Sequence, residues 1–210
     1  ADNQITADVN TIFMEITGLG KPGRLNKLYQ SPFTLHQMVI ERISRETEHA
    51  KAGKPARIIA KMNSLIEPSV IEALYQASAA GVQIDLIVRG MCTLCPGVKG
   101  LSENIRVRSI IGRQLEHSRV YCFHNNGADD TFISSADWMG RNFFRRIEVA
   151  TPIETQALKE RVISEGLDMA LQDNTHAWLM QPDGTYERCR PSENEKPVGL
   201  QDGLWKMYGR

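Results

Sequence analysis

Two short stretches hold the residue types that phosphate chemistry would use: Leu115-Glu116-His117-Ser118-Arg119 and Ser134-Ser135-Ala136-Asp137-Trp138-Met139-Gly140-Arg141-Asn142. The first opens a predicted strand, and the second follows the next one. Side chains alternate across a strand, so His117 and Arg119 share one face, away from Cys122 and His124. The arginine can hold phosphate oxygens in a forked contact while the imidazole attacks, protonates or binds. Ser134, Ser135 and Asn142 can donate hydrogen bonds to phosphate oxygens. An ionised Asp137 cannot, and is expected to orient a base or help hold a cation. Glu148, on the strand after that, is a carboxylate of the kind that fixes a histidine tautomer by accepting from its ring N–H. On its own a His-x-Arg with a Ser-Ser is weak evidence, because an isolated histidine is more commonly structural. His36, His49, His124 and His176 receive only that reading.

The formal net charge is zero, so no global field steers the chain toward nucleic acid or anionic lipid. A polyanion site must come from local clustering. Arg106, Arg108, Arg113, Arg119, Arg141, Arg145 and Arg146 fall in one short region without a lysine. Arginine suits bidentate phosphate contact better than lysine does, so the group is read as a path for a polyanion. Cys92 and Cys95 have metal-ligand spacing, and Cys122 with His124 could complete a set of four. A lone C-x-x-C has many chance matches, and buried, reduced thiols are the expected outcome.

These residues need a scaffold. The chain has 210 residues, 41% apolar and 24% charged, which suits one compact α/β domain with some extra structure. No apolar run approaches the roughly 18 residues needed to cross a bilayer. The start, Ala1-Asp2-Asn3-Gln4, has neither the leader of a signal peptide nor a methionine, and a processed chain or a piece of a longer one is expected. Apolar spacing predicts a short helix over residues 6–16. A second helix is predicted from Thr34, read as the N-cap of a capping box with Gln37, to about Ala52, with Gly53 ending it. A strand around Ile58-Ile59-Ala60, a helix opened by Pro68 and closed by Gly81, and a strand over residues 82–88 together imply a right-handed crossover and parallel pairing. Further strands are expected over residues 105–110, 119–123, 131–134 and 146–150, and a helix over 154–171. The chain divides into a helical lead-in and linker (1–30), a core domain (31–175) and a polar, partly ordered tail (176–210).

The His-x-Arg, the serine-rich turn and the downstream glutamate resemble the phospholipase-D superfamily motif, H-x-K, then G-S-x-N, then an acidic residue. Arg119 stands in place of lysine, Ser134 of glycine and Asp137 of asparagine. Those departures resemble the polyphosphate kinase family, as do ARIIAKMNSL, GVQIDLIVRGMC, LSENIRVRSI, LEHSRVY and SSADWMGRN. The resemblance spans about residues 6–171. It implies a phospholipase-D-like half, α/β with a mixed, mostly parallel sheet flanked by helices, taken from the C-terminal end of a longer enzyme.

The family resemblance further implies reversible transfer of the ATP terminal phosphate to polyphosphate, with ATP or ADP as substrate and Mg2+ as cofactor. Arg89 and His117 are then the nucleotide-contacting residues, and His117, Arg119 and Glu148 the catalytic set. Ser134, Ser135, Asn142, Arg106, Arg108, Arg113, Arg145 and Arg146 would contact phosphate or polyphosphate. The phosphorylated histidine and the metal ligands are expected upstream, so the isolated chain is expected to be inactive. A cytoplasmic homo-oligomer is implied for the full protein, with contact to the inner face of the membrane left open. Two other readings fit the same residues. One is a phosphodiesterase in which two copies bring both His117 residues together, and the other is a non-catalytic polyanion-binding module.

Overall fold

In the computed structural model, residues 2–21 and 23–209 are described. The elements are α1 (Asn3–Ile16), β1 (Tyr29–Gln30), α2 (Leu35–Lys51), β2 (Arg57–Met62), α3 (Pro68–Ala79), β3 (Gln83–Val88), β4 (Ile105–Ile110) and β5 (Val120–Phe123). They continue as β6 (Asp130–Ser134), α4 (Gly140–Arg145), β7 (Val149–Pro152), α5 (Gln156–Ile163), α6 (Met169–Gln172), β8 (Ala177–Met180), β9 (Tyr186–Arg188) and α7 (Leu200–Tyr208). All strands join one sheet in the order β1-β7-β6-β5-β2-β3-β4-β8-β9.

The expected mixed α/β sheet between helices is present, but its parallel share is smaller than expected. Among the named strands, parallel pairing joins β2 with β3 and β3 with β4, and two isolated parallel bridges link Leu65 to Cys92 and to Trp138. The remaining neighbours pair antiparallel, and of these β5–β6 and β8–β9 are joined by loops too short for a crossover. Alternation along the strands builds two cores. Ile58, Ala60, Ile84, Leu86, Tyr121 and Phe123 face α2 and α3, meeting Leu35, Val39, Ile43, Val70 and Leu74. Ile59, Ile87, Val120 and Cys122 face the other way, onto Leu167, Ala170 and Leu200.

Three local expectations change. Thr34 makes no side-chain cap to α2, because its Oγ1 accepts the Gln30 N–H at 3.0 Å in the preceding turn. The single helix expected over 154–171 is α5 and α6 joined by a π-turn, Ser164–Asp168, which seats Leu167 in the second core. The largest correction concerns the region read as a polar tail. β8 pairs with β4 and β9 with β8, and the fully buried Leu200 anchors α7. Asp173, buried beneath, accepts the Leu200 N–H at 2.8 Å.

Candidate active site

β5 runs antiparallel to β2, with Val120 opposite Lys61. Residues 117–119 therefore lie just beyond the C-terminal end of β2, where β3 also ends and Arg89 begins the next loop. β6 returns beside β5, and the Ser134 N–H bonds the Arg119 carbonyl at 3.1 Å. The C-terminal ends of the parallel strands thus gather both chemistry-bearing stretches on one edge, the usual place for a site in an α/β sheet.

A chain of polar contacts runs along that edge. Arg119 Nη1 lies 3.1 Å from His117 Nδ1 and donates to the His117 carbonyl at 3.0 Å. Its Nε and Nη2 donate to the two carboxylate oxygens of Asp137 at 3.2 and 3.0 Å. Asp137 Oδ1 also accepts the Asn63 N–H at 2.6 Å and the Ser64 N–H at 3.3 Å. The Asn63 side chain accepts from Arg89 Nε at 3.2 Å. His117, Arg119, Asp137, Asn63 and Arg89 are consequently one connected set. Asp137 is buried and Arg119 nearly so, while His117 is exposed.

The other expected residues take different places. Glu148 does not orient His117: it accepts from Asn142 Nδ2 at 2.6 Å, and both side chains are buried. Asn142 spends an amide N–H on this buried carboxylate, which would be costly to leave unpaired. Ser134 Oγ donates to the Val149 carbonyl at 2.9 Å and Ser135 Oγ accepts the Val149 N–H at 3.1 Å, so both hydroxyls pin β7.

The arginine cluster is split between β4 and the loops and short helix beyond the strand ends. Arg106 and Arg108 sit on the face of the second core; Arg106 lies 4.0 Å from Asp85, and Arg108 caps the carbonyls of Ala170 and Leu171 at the end of α6. Arg113, Arg141, Arg145 and Arg146 are exposed on loops leaving the site edge or on α4, with Arg146 3.5 Å from Glu148. The thiols of Cys92 and Cys122 are pushed up to about 11 by burial, and all four cysteines are unpaired thiols. Sequence reasoning missed Asp137 as the holder of Arg119, and it missed the pair of the buried Lys61 Nζ with the half-buried Glu116 Oε2 at 2.7 Å. A lysine inside a predicted buried strand was the available signal for that pair, because such a charge needs an acid nearby.

The fold is phospholipase-D-like. The phospholipase D family member Nuc from Salmonella typhimurium has that fold, with a TM-score of 0.52 at 14% identity over 77% of this chain and 97% of its own. The chain belongs to the polyphosphate kinase family: the family description "Polyphosphate kinase C-terminal domain 2" matches residues 28–201. The crystal structure of polyphosphate kinase from Porphyromonas gingivalis superposes with a TM-score of 0.93 at 39% identity, over 99% of this chain and 32% of that one. Curated polyphosphate kinases of Neisseria meningitidis serogroup C (strain 053442) and Paraburkholderia phytofirmans (strain DSM 17436 / LMG 22146 / PsJN) are 83% and 58% identical over 209 and 196 residues. Those matches cover 100% and 93% of this chain, which spans about 30% of the length of these relatives.

Proposed function

We propose that this chain supplies the nucleotide- and polyphosphate-contacting half of an ATP:polyphosphate phosphotransferase, in which His117 binds the phosphoryl group in transit as a hydrogen-bond donor. The observation that carries this role is the approach of Arg119 Nη1 to His117 Nδ1. A guanidinium has donors only and stays protonated, so Nδ1 must accept. The neutral imidazole then carries its proton on Nε2. A nucleophilic Nε2 would need its lone pair free and the proton on Nδ1, against the Arg119 N–H. His117 therefore donates to an oxygen on which charge gathers, and the attacking histidine comes from the remainder of the longer protein. Phosphoryl transfer asks little covalent chemistry of the protein beyond a positioned nucleophile and charge neutralisation.

Arg89 uses only Nε on Asn63 among the described residues, which leaves its terminal nitrogens for phosphate oxygens of the nucleotide. Arg119 has the supporting task of holding His117 from beneath. Arg113, Arg141, Arg145 and Arg146 are placed to lead the polymer away from the edge.

Mg2+ is implied by the family, but the acids here do not form its cradle. Asp137 is engaged by Arg119 and two backbone N–H groups, Glu148 by Asn142 and Arg146, and Glu116 by Lys61. A hard cation needs unengaged oxygens, so no step is assigned to the ion in this half. No helix among the described residues is long and apolar enough to cross a membrane. Assembly as a cytoplasmic homo-oligomer belongs to the same proposal and rests on the family alone.

The test uses the full-length protein. His117→Ala is expected to lower turnover about a hundredfold or more, the usual effect of removing one transition-state donor. His117→Gln places an amide N–H near the position of Nε2 and is expected to recover part of that loss. Unchanged turnover and nucleotide affinity in the alanine variant would refute the site. A glutamine variant no better than alanine would refute the donor role alone.

A further inference from the structure

The segment that carries His117 is held by α7. Gln201, in the first turn of α7, uses both ends of its amide on that segment. Its Oε1 accepts the Gln114 N–H at 2.8 Å, and its Nε2 donates to the Gln114 carbonyl at 2.8 Å and to Glu116 Oε1 at 2.6 Å. The other oxygen of Glu116 meets Lys61 Nζ, which β2 keeps buried. Glu116 is thus fixed between the central sheet and α7, one residue before His117. The position of α7 is itself determined by Leu200 in the second core and by Asp173 at its N-terminus. Gly112 completes the arrangement, because a methyl group there would run into the Gln201 amide.

We propose that Gln201 is a positioning residue for the phosphotransfer site, acting through residues 114–116 to hold His117 in the register at which Arg119 can meet its Nδ1. The inference rests on the role assigned to His117 above. With residues 115–118 half-buried or exposed, the core places few apolar restraints on them, and the amide bonds supply the restraint instead. A small misplacement of a reacting group can cost orders of magnitude in rate.

The experiment compares Gln201→Ala, Gly112→Ala and the double variant in the full-length protein, with His117→Ala assayed alongside. The expected result is a loss of about tenfold in kcat for each single variant, with KM for ATP changed less than about twofold and an unchanged thermal midpoint. Gly112→Ala leaves Gln201 in the chain and displaces only its amide, so the double variant should be no worse than either single one. Wild-type kcat in both single variants, with His117→Ala strongly impaired, would overturn this proposal and leave the functional reading standing. Losses in kcat that track a lowered thermal midpoint would overturn it too, because they would mark α7 as a stability element only. An active His117→Ala enzyme would remove the reading on which the proposal rests.

Discussion

Arg119 meets a carboxylate on one side and an imidazole on the other, and only a planar, forked cation can do both. Lysine has a single point charge on a flexible stem. In Arg119→Lys the ammonium can approach Asp137 or His117, but not both in the geometry seen here. The expected outcome in the full-length protein is a fall in kcat of about tenfold or more, with folding retained because the Asp137 charge stays paired. A steady-state assay with a thermal melt checks both parts. The shared face of His117 and Arg119 was legible, since strand alternation alone fixes it. The partnership with Asp137 was not. It joins residues 18 positions apart across a hairpin, and nothing local distinguishes a carboxylate that holds an arginine from one that orients a base. The role given to Glu148 failed for a related reason. Its neighbour in space is Asn142, across a short helix and loop that carry no register signal.

At the scale of elements, periodic segments were the readable ones. α2 and α3 lie within a residue or two of their expected limits, and the turn glycines Gly53 and Gly81 have φ of +68° and +101°, where a side chain would be strained. β8 and β9 were not readable, because strands of four and three residues show no usable alternation until a neighbour pairs with them. α1 was read correctly as a helix, but for partly the wrong reason: of Val9, Ile12, Phe13 and Ile16, only Ile12 is buried. What ties α1 down is Asp8, whose carboxylate accepts the N–H groups of Asn26, Lys27 and Leu28 at 2.8, 2.7 and 2.9 Å. Burial works to raise its pKa, yet the backbone bonds from Asn26, Leu28 and Lys27 together win and hold it below the ordinary value. A lowered folded pKa means stability that is present in full at neutral pH. It is lost as pH falls below about 4 and through the folded value. Asp8→Ala is expected to cost about 2–3 kcal/mol at pH 7, the effect of leaving buried donors unpaired. The difference from the parent should shrink on acidification. Urea unfolding of the two proteins at pH 7 and near pH 3 measures it.

The whole molecule is one sheet with a polar edge, and that edge is open. Apart from the deviations above, the sequence predicted the sheet, its flanking helices and the strand ends on which the site sits. It could not show that arginines close in sequence would divide between the second-core face of β4 and the loops and short helix at the site edge, because that depends on how the strands are ordered in the sheet. The division makes a prediction: Arg106→Ala should leave polyphosphate affinity unchanged, whereas paired substitution of Arg145 and Arg146 should weaken it and reduce its salt dependence. The edge presents a single exposed histidine, whose Nδ1 faces Arg119, and its carboxylates are engaged by protein donors. On the proposed mechanism such a half can bind phosphate but has no nucleophile of its own to pass it on. Groups that act as a unit lose nearly all of their effect when one is removed. The 210-residue chain alone is therefore expected to turn over ATP and polyphosphate at less than about a thousandth of the full-length rate, while retaining weak, salt-sensitive polyphosphate binding. Adding separately expressed upstream segments of the same protein should restore part of the activity, and only when His117 is intact. Full-length turnover by the isolated chain would mean that His117 is itself the nucleophile, with the proton on Nδ1 and Arg119 turned away from it.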